Sequence, residues 1–319
     1  MNEIVPAPGG APGDDEGVLD PQVAAWFDAN PLYTTPLEEL VPELLPLARG
    51  PVGAPPTREI AEVRDDVVDG VPIRIYRNDG PATGVVVYFH GGGFCIGSIG
   101  LMDNVARELA HATGATVVSV EYRLAPEHPY PAGLDDCDAL TQWAIAHATE
   151  LGGTPDTVVV AGESAGGNLS AAVALRRRDA GGPQPVAQVL IYPGVGGTQD
   201  FPSRGEFSGL IISEKAGDVY WTAYSGDRDI SRDPYAAPLH APSLEGLPPA
   251  LVILGGCDML RDEGRAYARR LEAEGVEVDE VCIAGQPHGF VNFDLPAAAV
   301  AHERIGSWVR EQLARGAGD

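Results

Sequence analysis

The sequence predicts an α/β fold: a mostly parallel sheet of eight strands with helices on both faces. Three observations carry that prediction. Runs such as Val85-Val86-Val87-Tyr88-Phe89 are apolar throughout, as strands covered on both faces require. Amphipathic stretches of helical length alternate with those runs. One strong hairpin signal occurs, Asp69-Gly70 between two strand-like runs, which places an antiparallel hairpin at one edge of the sheet.

Taken in order, residues 1–20 are Pro/Gly-rich and acidic and read as a flexible lead. Residues 21–27 and 37–48 have the spacing of two short helices. Residues 59–68 and 71–77 form the hairpin. Strands follow at 84–89, 115–120, 157–161 and 186–192, separated by helices at 102–112 and 134–149 and followed, after 157–161, by a helix at 165–178. Two more strands, 250–254 and 278–283, precede helices at 261–274 and 297–313. More than fifty residues separate Tyr192 from Ala250, too many for a simple crossover. Residues 194–241 therefore read as an insertion over the C-terminal edge of the sheet, meeting the N-terminal helices as a lid, and that edge is where open α/β sheets bind ligands. The expected division is 1–55, acidic lead and N-terminal cap helices, and 56–319, a catalytic domain carrying the insertion. Strand 278–283 would be an edge able to pair across a two-fold axis, so a homodimer is one expectation. No internal repeat is visible.

Composition narrows the function. The chain of 319 residues is 44% apolar and 21% charged, which suits a globular core. Its 46 acidic and 21 basic residues give a net charge of −25, arguing against nucleic acid or an anionic membrane as partner. Residues 1–70 hold 14 acids and three arginines, a bias that reads as a solvated face. Lys215 is the only lysine, and no GxxxxGK[ST] loop exists, so a P-loop site is out. As a Schiff-base residue Lys215 is unpromising, since Ser213, Glu214 and Asp218 around it look like surface. Cys95, Cys137, Cys257 and Cys282 are scattered without zinc-type spacing, so no metal is expected, and the thiols read as free and buried in a reducing compartment. No basic leader with an apolar core and no run of 18 apolar residues occurs, which makes a soluble cytoplasmic protein the expectation.

Gly162-Glu163-Ser164-Ala165-Gly166 follows a strand and opens a helix, the setting in which G-x-S-x-G lifts a serine hydroxyl to the top of a sheet. His90-Gly91-Gly92-Gly93-Phe94 follows the strand ending at Phe89. Successive glycines let backbone N–H groups converge on a developing oxyanion, so Gly92, Gly93 and Ala165 are candidates for an oxyanion hole. A phosphate cradle is disfavoured because Ile96 stands where G-x-G-x-x-G needs its last glycine. A serine nucleophile needs a base and an orienting acid, in the order Ser, Asp or Glu, His for this arrangement. Of the histidines after Ser164, His302 lies in the last helix and His240 at the end of the insertion; His288 follows the last strand and is the candidate base. Asp258 ends a strand and is the candidate acid, ahead of Asp262 and Glu263, which compete as helix-capping residues.

Five motifs together resemble the hormone-sensitive-lipase-like esterases, bacterial esterase family IV: HGGGF, GESAGGNL, YRLAPEHPYPA, CDMLRDE and PHGF, in that order over about two-thirds of the chain. The resemblance implies an α/β-hydrolase fold with a helical cap, no cofactor, and hydrolysis of short-chain acyl esters. By resemblance Ser164, Asp258 and His288 form the triad, and Tyr122 to Ala132 a structural brace in which Arg123 and Glu127 can pair and His128 is structural. Glu163, Glu121 and Met259 depart from the family pattern, where aspartate, aspartate and proline are usual. Candidates for the substrate pocket are Phe94, Glu163, Phe207, Trp221 and Tyr224, with Trp26, Phe27, Tyr33 and Tyr220 as further aromatics. A deacetylase, lactonase or amidase with the same triad is the alternative, and a non-catalytic ligand receptor on the same fold the remote one.

Overall fold

In a computed structural model, residues 2–5, 16–30, 42, 45, 46, 49 and 54–318 are described. The predicted helix at 37–48 and the pocket candidate Tyr33 lie outside the described residues, apart from isolated positions of that helix. The hairpin is formed by β2 (Glu62–Val68) and β3 (Val71–Arg77). Its two-residue turn has positive φ at both Asp69 and Gly70, the backbone that a twisted hairpin demands.

The parallel strands are β4 (Val85–Phe89), β5 (Thr116–Val120), β6 (Val158–Glu163), β7 (Ala187–Ile191), β8 (Ala250–Cys257) and β9 (Val278–Pro287). A further strand, β1 (Asn2–Val5), pairs parallel with β9 and makes nine, in the order β1-β9-β8-β7-β6-β4-β5-β3-β2. All eight expected strands are present, and β1 adds a ninth from within the segment read as a lead. A four-residue strand joined by backbone bonds leaves too short a side-chain pattern to read. Residues 16–20 are also pinned: Gly285 N–H donates to Glu16 O, Asp20 N–H to Gly285 O, and Arg265 pairs with the Glu16 carboxylate at 2.7 Å. The edge of β9 expected to face a second copy is thus taken by the chain's own β1.

The helices are α1 (Pro21–Ala29), α2 (Asp103–Thr113), α3 (Ala132–Ala146), α4 (Ala165–Ala180), α5 (Pro202–Glu206), α6 (Glu214–Ser225), α7 (Arg261–Ala273) and α8 (Pro296–Gly318). Alternation along β4 shows how they cover the sheet. Val85, Val87 and Phe89 join a core with α3 and α4, whereas Val86 and Tyr88 join one with α2 and α8. Leu190, Val252 and Leu254 pack under α7. Strands buried on both faces have no polar face to display, which is why they read as unbroken apolar runs.

Strand β4 lies between β5 and β6, and the chain passes from β4 to β5 on one side and then back across it to β6 on the other. Such a reversal opens a crevice at the carboxyl ends of the two strands. The loops after β4 and β6 are the HGGG and GESAG segments. Above them runs the 194–241 stretch, holding α5 and α6 and anchored at both ends by Asn168 of α4, whose Nδ2 donates to Gly194 O at 2.7 Å and to Ala236 O at 2.8 Å.

Candidate active site

Ser164 stands between β6 and α4 with φ 57° and ψ −118°, a strained backbone for a residue with a side chain. The turn is possible because Gly166 lets two backbones touch: a Cβ there would lie 1.9 Å from Phe89 O. The helix then begins directly at Ala165, so its N-terminus faces the serine.

The Ser164 hydroxyl lies 2.8 Å from His288 Nε2, and His288 Nδ1 lies 2.9 Å from Asp258 Oδ2. With Nδ1–H donating to the carboxylate, Nε2 is the free acceptor for the serine proton. Asp258 is wholly buried and His288 nearly so. The second Asp258 oxygen accepts from Leu260 N–H at 2.8 Å, which fixes the carboxylate plane. Burial works against a charged imidazole, but the Asp258 charge and hydrogen bond, helped by Glu163 and Glu263, outweigh it and hold His288 above the ordinary histidine value.

The loop after β4 is built from the other side. His90 is buried, its Nδ1 lies 2.8 Å from Gly91 O, and its ring stacks on Tyr122, whose hydroxyl donates to His90 O at 2.7 Å. Cys95 and Ile96 N–H groups both donate back to Gly92 O. The N–H groups of Gly92, Gly93 and Ala165 donate to no protein acceptor among the described residues, so three donors remain unspent around the serine turn. Gly93 and Ala165 line the cavity in front of Ser164; Gly92 sits in the turn just behind that wall.

The cavity measures about 90 Å³. Phe94 and Trp221 line it, as does Tyr220. Glu163, Phe207 and Tyr224, expected in the pocket, do not line it, and each has another position. Glu163 is buried under the glycine loop and accepts from Gly91 N–H at 2.6 Å; burial raises its pKa, against the pull of that hydrogen bond. Tyr224 stacks behind Phe94 with ring centroids 3.8 Å apart. Phe207 packs with Cys257 and Met259 under the Arg261 guanidinium. Aromatic residues near a site are as useful for bracing it as for touching substrate, and spacing alone does not separate the two. Trp26 stacks on Phe293 and Phe27 is buried, both away from the cavity.

Several lining residues were not among the expected ones: Thr198, Arg204, Ile212, Met259, Leu260 and Glu263. Met259 and Leu260 follow Asp258 directly, so the motif around Asp258 could have pointed to them. Arg204 belongs to α5, a five-residue helix without periodicity. Glu263, weighed behind Asp258 as the acid and as a helix cap, accepts from Gly196 N–H, and burial pushes its pKa up to about 7. Asp262 accepts from Ser203 N–H. His240 bonds Gly196 O, His302 bonds Val291 O, and His128 is exposed. The brace pairs differently from expectation: Arg123 forks onto Asp136 of α3, and Glu127 binds Arg49.

All four cysteines are buried and unbridged, and burial pushes the Cys95 thiol up to about 12. Among the described residues no three His, Cys, Asp or Glu side chains gather as a metal site, and no helix is long and apolar enough to cross a membrane.

Residues 86–292 match the profile of a protein family described by its α/β-hydrolase fold, the family read above from the motifs as hormone-sensitive-lipase-like. The chain belongs to that family. This hydrolase is 41% identical to carboxylesterase NlhH of Mycobacterium tuberculosis, over 90% of its own length and 93% of the relative's. It is 42% identical to carboxylic ester hydrolase LipN of the same organism, over 77% and 68% respectively. Among solved structures it resembles a hyperthermophilic esterase from the archaeon Pyrobaculum calidifontis, with a TM-score of 0.83, 34% identity, and coverage of 92% of this chain and 98% of that one.

Proposed function

We propose that this hydrolase is a serine carboxylesterase for short-chain acyl esters, with residues 194–241 as its cap. The observation that carries the reading is the relay Ser164–His288–Asp258, at 2.8 and 2.9 Å, facing three unspent backbone N–H groups. The named activities of the relatives support it.

In this mechanism Ser164 Oγ attacks the ester carbonyl while His288 Nε2 takes its proton. Asp258 holds the imidazole tautomer and stabilises the imidazolium. The oxyanion accepts from the N–H groups of Gly92, Gly93 and Ala165, each worth about 3 kcal/mol in comparable sites. His288 returns the proton to the departing alcohol, and water then repeats the sequence on the acyl-serine. The small cavity closed by Phe94, Ile212 and Trp221 suits a short acyl chain.

The test is hydrolysis of p-nitrophenyl acetate, butyrate, octanoate and palmitate by the wild type and Ser164→Ala. Fast turnover of the two short esters, reduced about 10⁴-fold or more in Ser164→Ala, is the expected result. Equal turnover of butyrate and palmitate would overturn the chain-length assignment, and undiminished activity in the variant would overturn the nucleophile.

A further inference from the structure

We propose that Arg204 makes this pocket select esters that carry a carboxylate, a reading that rests on the serine-hydrolase assignment above. The cavity before Ser164 is otherwise walled mainly by Gly93, Phe94, Ile212, Trp221, Met259 and Leu260. A neutral acyl chain needs no charge in such a wall, and placing one there costs desolvation. Yet the Arg204 side chain lines the cavity and is only 16% exposed.

The guanidinium is also only partly used. Its Nη2 donates to Asp218 Oδ1 at 2.5 Å, and Nε and Nη1 donate to no protein acceptor among the described residues. Those nitrogens are not sealed in the interior. Asp218 is 70% exposed and sits at the rim, where water screens it. Glu263, the other acidic group on this wall, lies in the field of the Arg204 guanidinium but accepts its hydrogen bond from Gly196 N–H, and burial favours its neutral form. A planar fork with spare donors at the edge of an apolar cavity matches a carboxylate's geometry. The chain's net charge of −25 repels anions at long range, so recognition of one needs a local cation of this kind.

An ordinary clasp between α5 and α6 would use the same ion pair, and the experiment separates the two roles by a ratio. One arm compares kcat/KM for monomethyl glutarate and monomethyl adipate with that for the dimethyl esters, placing the carboxylate on the acyl side. The other compares O-acetylglycolate with its methyl ester, placing it on the alcohol side. The anionic-to-neutral ratio should fall about tenfold or more in Arg204→Gln in one arm, as loss of a charge-assisted fork predicts, and partly return in Arg204→Lys. Asp218→Asn, which releases Nη2 and removes the competing charge, should raise the same ratio. A ratio that stays within about threefold of wild type in Arg204→Gln in both arms, whatever happens to the absolute rates, overturns the proposal. Failure of the wild type on the neutral esters too would instead break the hydrolase reading on which it rests.

Discussion

The carboxyl ends of β4, β6, β8 and β9 and the 194–241 insertion face each other across one cavity, and they are built on different terms. On the sheet side, Ser164, Asp258 and His288 each stand directly past a strand whose residues are almost wholly buried, and contacts as close as that of Gly166 with Phe89 leave the backbone no alternative. On the insertion side the helices are five and twelve residues long. They are held by the packing of Ala216, Ala223 and Tyr224 into the core, by one backbone bond from Tyr130 N–H to Tyr224 O, and by side-chain bonds from Asn168 to Gly194 and Ala236, from Ser203 to Met259, and from Arg204 to Asp218. Groups held by sheet register can be placed to a fraction of an ångström. Walls held by side chains can change one residue at a time, which suits selection among substrates.

The sharpest test of this contrast is at Asp258. Asp258→Asn keeps the volume but removes the charge that orients His288, and kcat should fall about 10⁴-fold with the thermal midpoint little changed; a loss below tenfold would mean that the sheet-borne relay is not the engine. Next comes Gly93, where the two regions touch. A Cβ there would lie 2.4 Å from the Tyr220 ring of α6, so Gly93→Ala should cost about 10²–10³ in kcat by displacing a proposed oxyanion donor. Adding Tyr220→Ala should restore part of that activity, and no recovery would place the damage in the loop's own backbone, where Gly93 has φ 57°.

A smaller effect is expected on the insertion side alone. Trp221→Ala should widen the cavity and raise the octanoate-to-butyrate ratio about tenfold, with the butyrate rate changing less. Last is the pH profile. The proposed mechanism uses a neutral His288 as base, and its pKa is held above the ordinary value by Asp258, Glu163 and Glu263 after the opposing effect of burial. The acid limb of kcat/KM should therefore lie above about 6.5. Glu263→Gln removes one of the charges favouring the imidazolium, so the limb should move to lower pH; a shift upward would contradict the sign.

Legibility in the sequence follows the same division. Five consecutive apolar residues at 85–89 can be satisfied only between two layers of helices, so strand, class and order could be read without coordinates. The motif Gly162 to Gly166 and the Asp69-Gly70 turn are legible for a related reason, since backbone geometry there admits few residue types. By contrast Tyr224, Phe207 and Glu163 look like lining residues on paper and stand behind the wall, and Arg204 gave no signal at all. Their positions depend on which way a side chain turns in the assembled molecule. Strand β1 was missed because four residues bonded through the backbone carry no pattern.

By itself, then, the sequence determined the layered sheet, the edge hairpin and the candidate chemistry at the strand ends, because burial on both faces and strained turns are local demands written in residue type. Only the tertiary structure decided that Arg123 pairs with Asp136 and Glu127 with Arg49, that β1 covers β9, and that Phe94, Ile212 and Trp221 rather than Phe207 or Tyr224 face Ser164. Those outcomes join residues 13 to nearly 300 positions apart, and a contact of that kind is fixed by which surfaces meet when the chain closes.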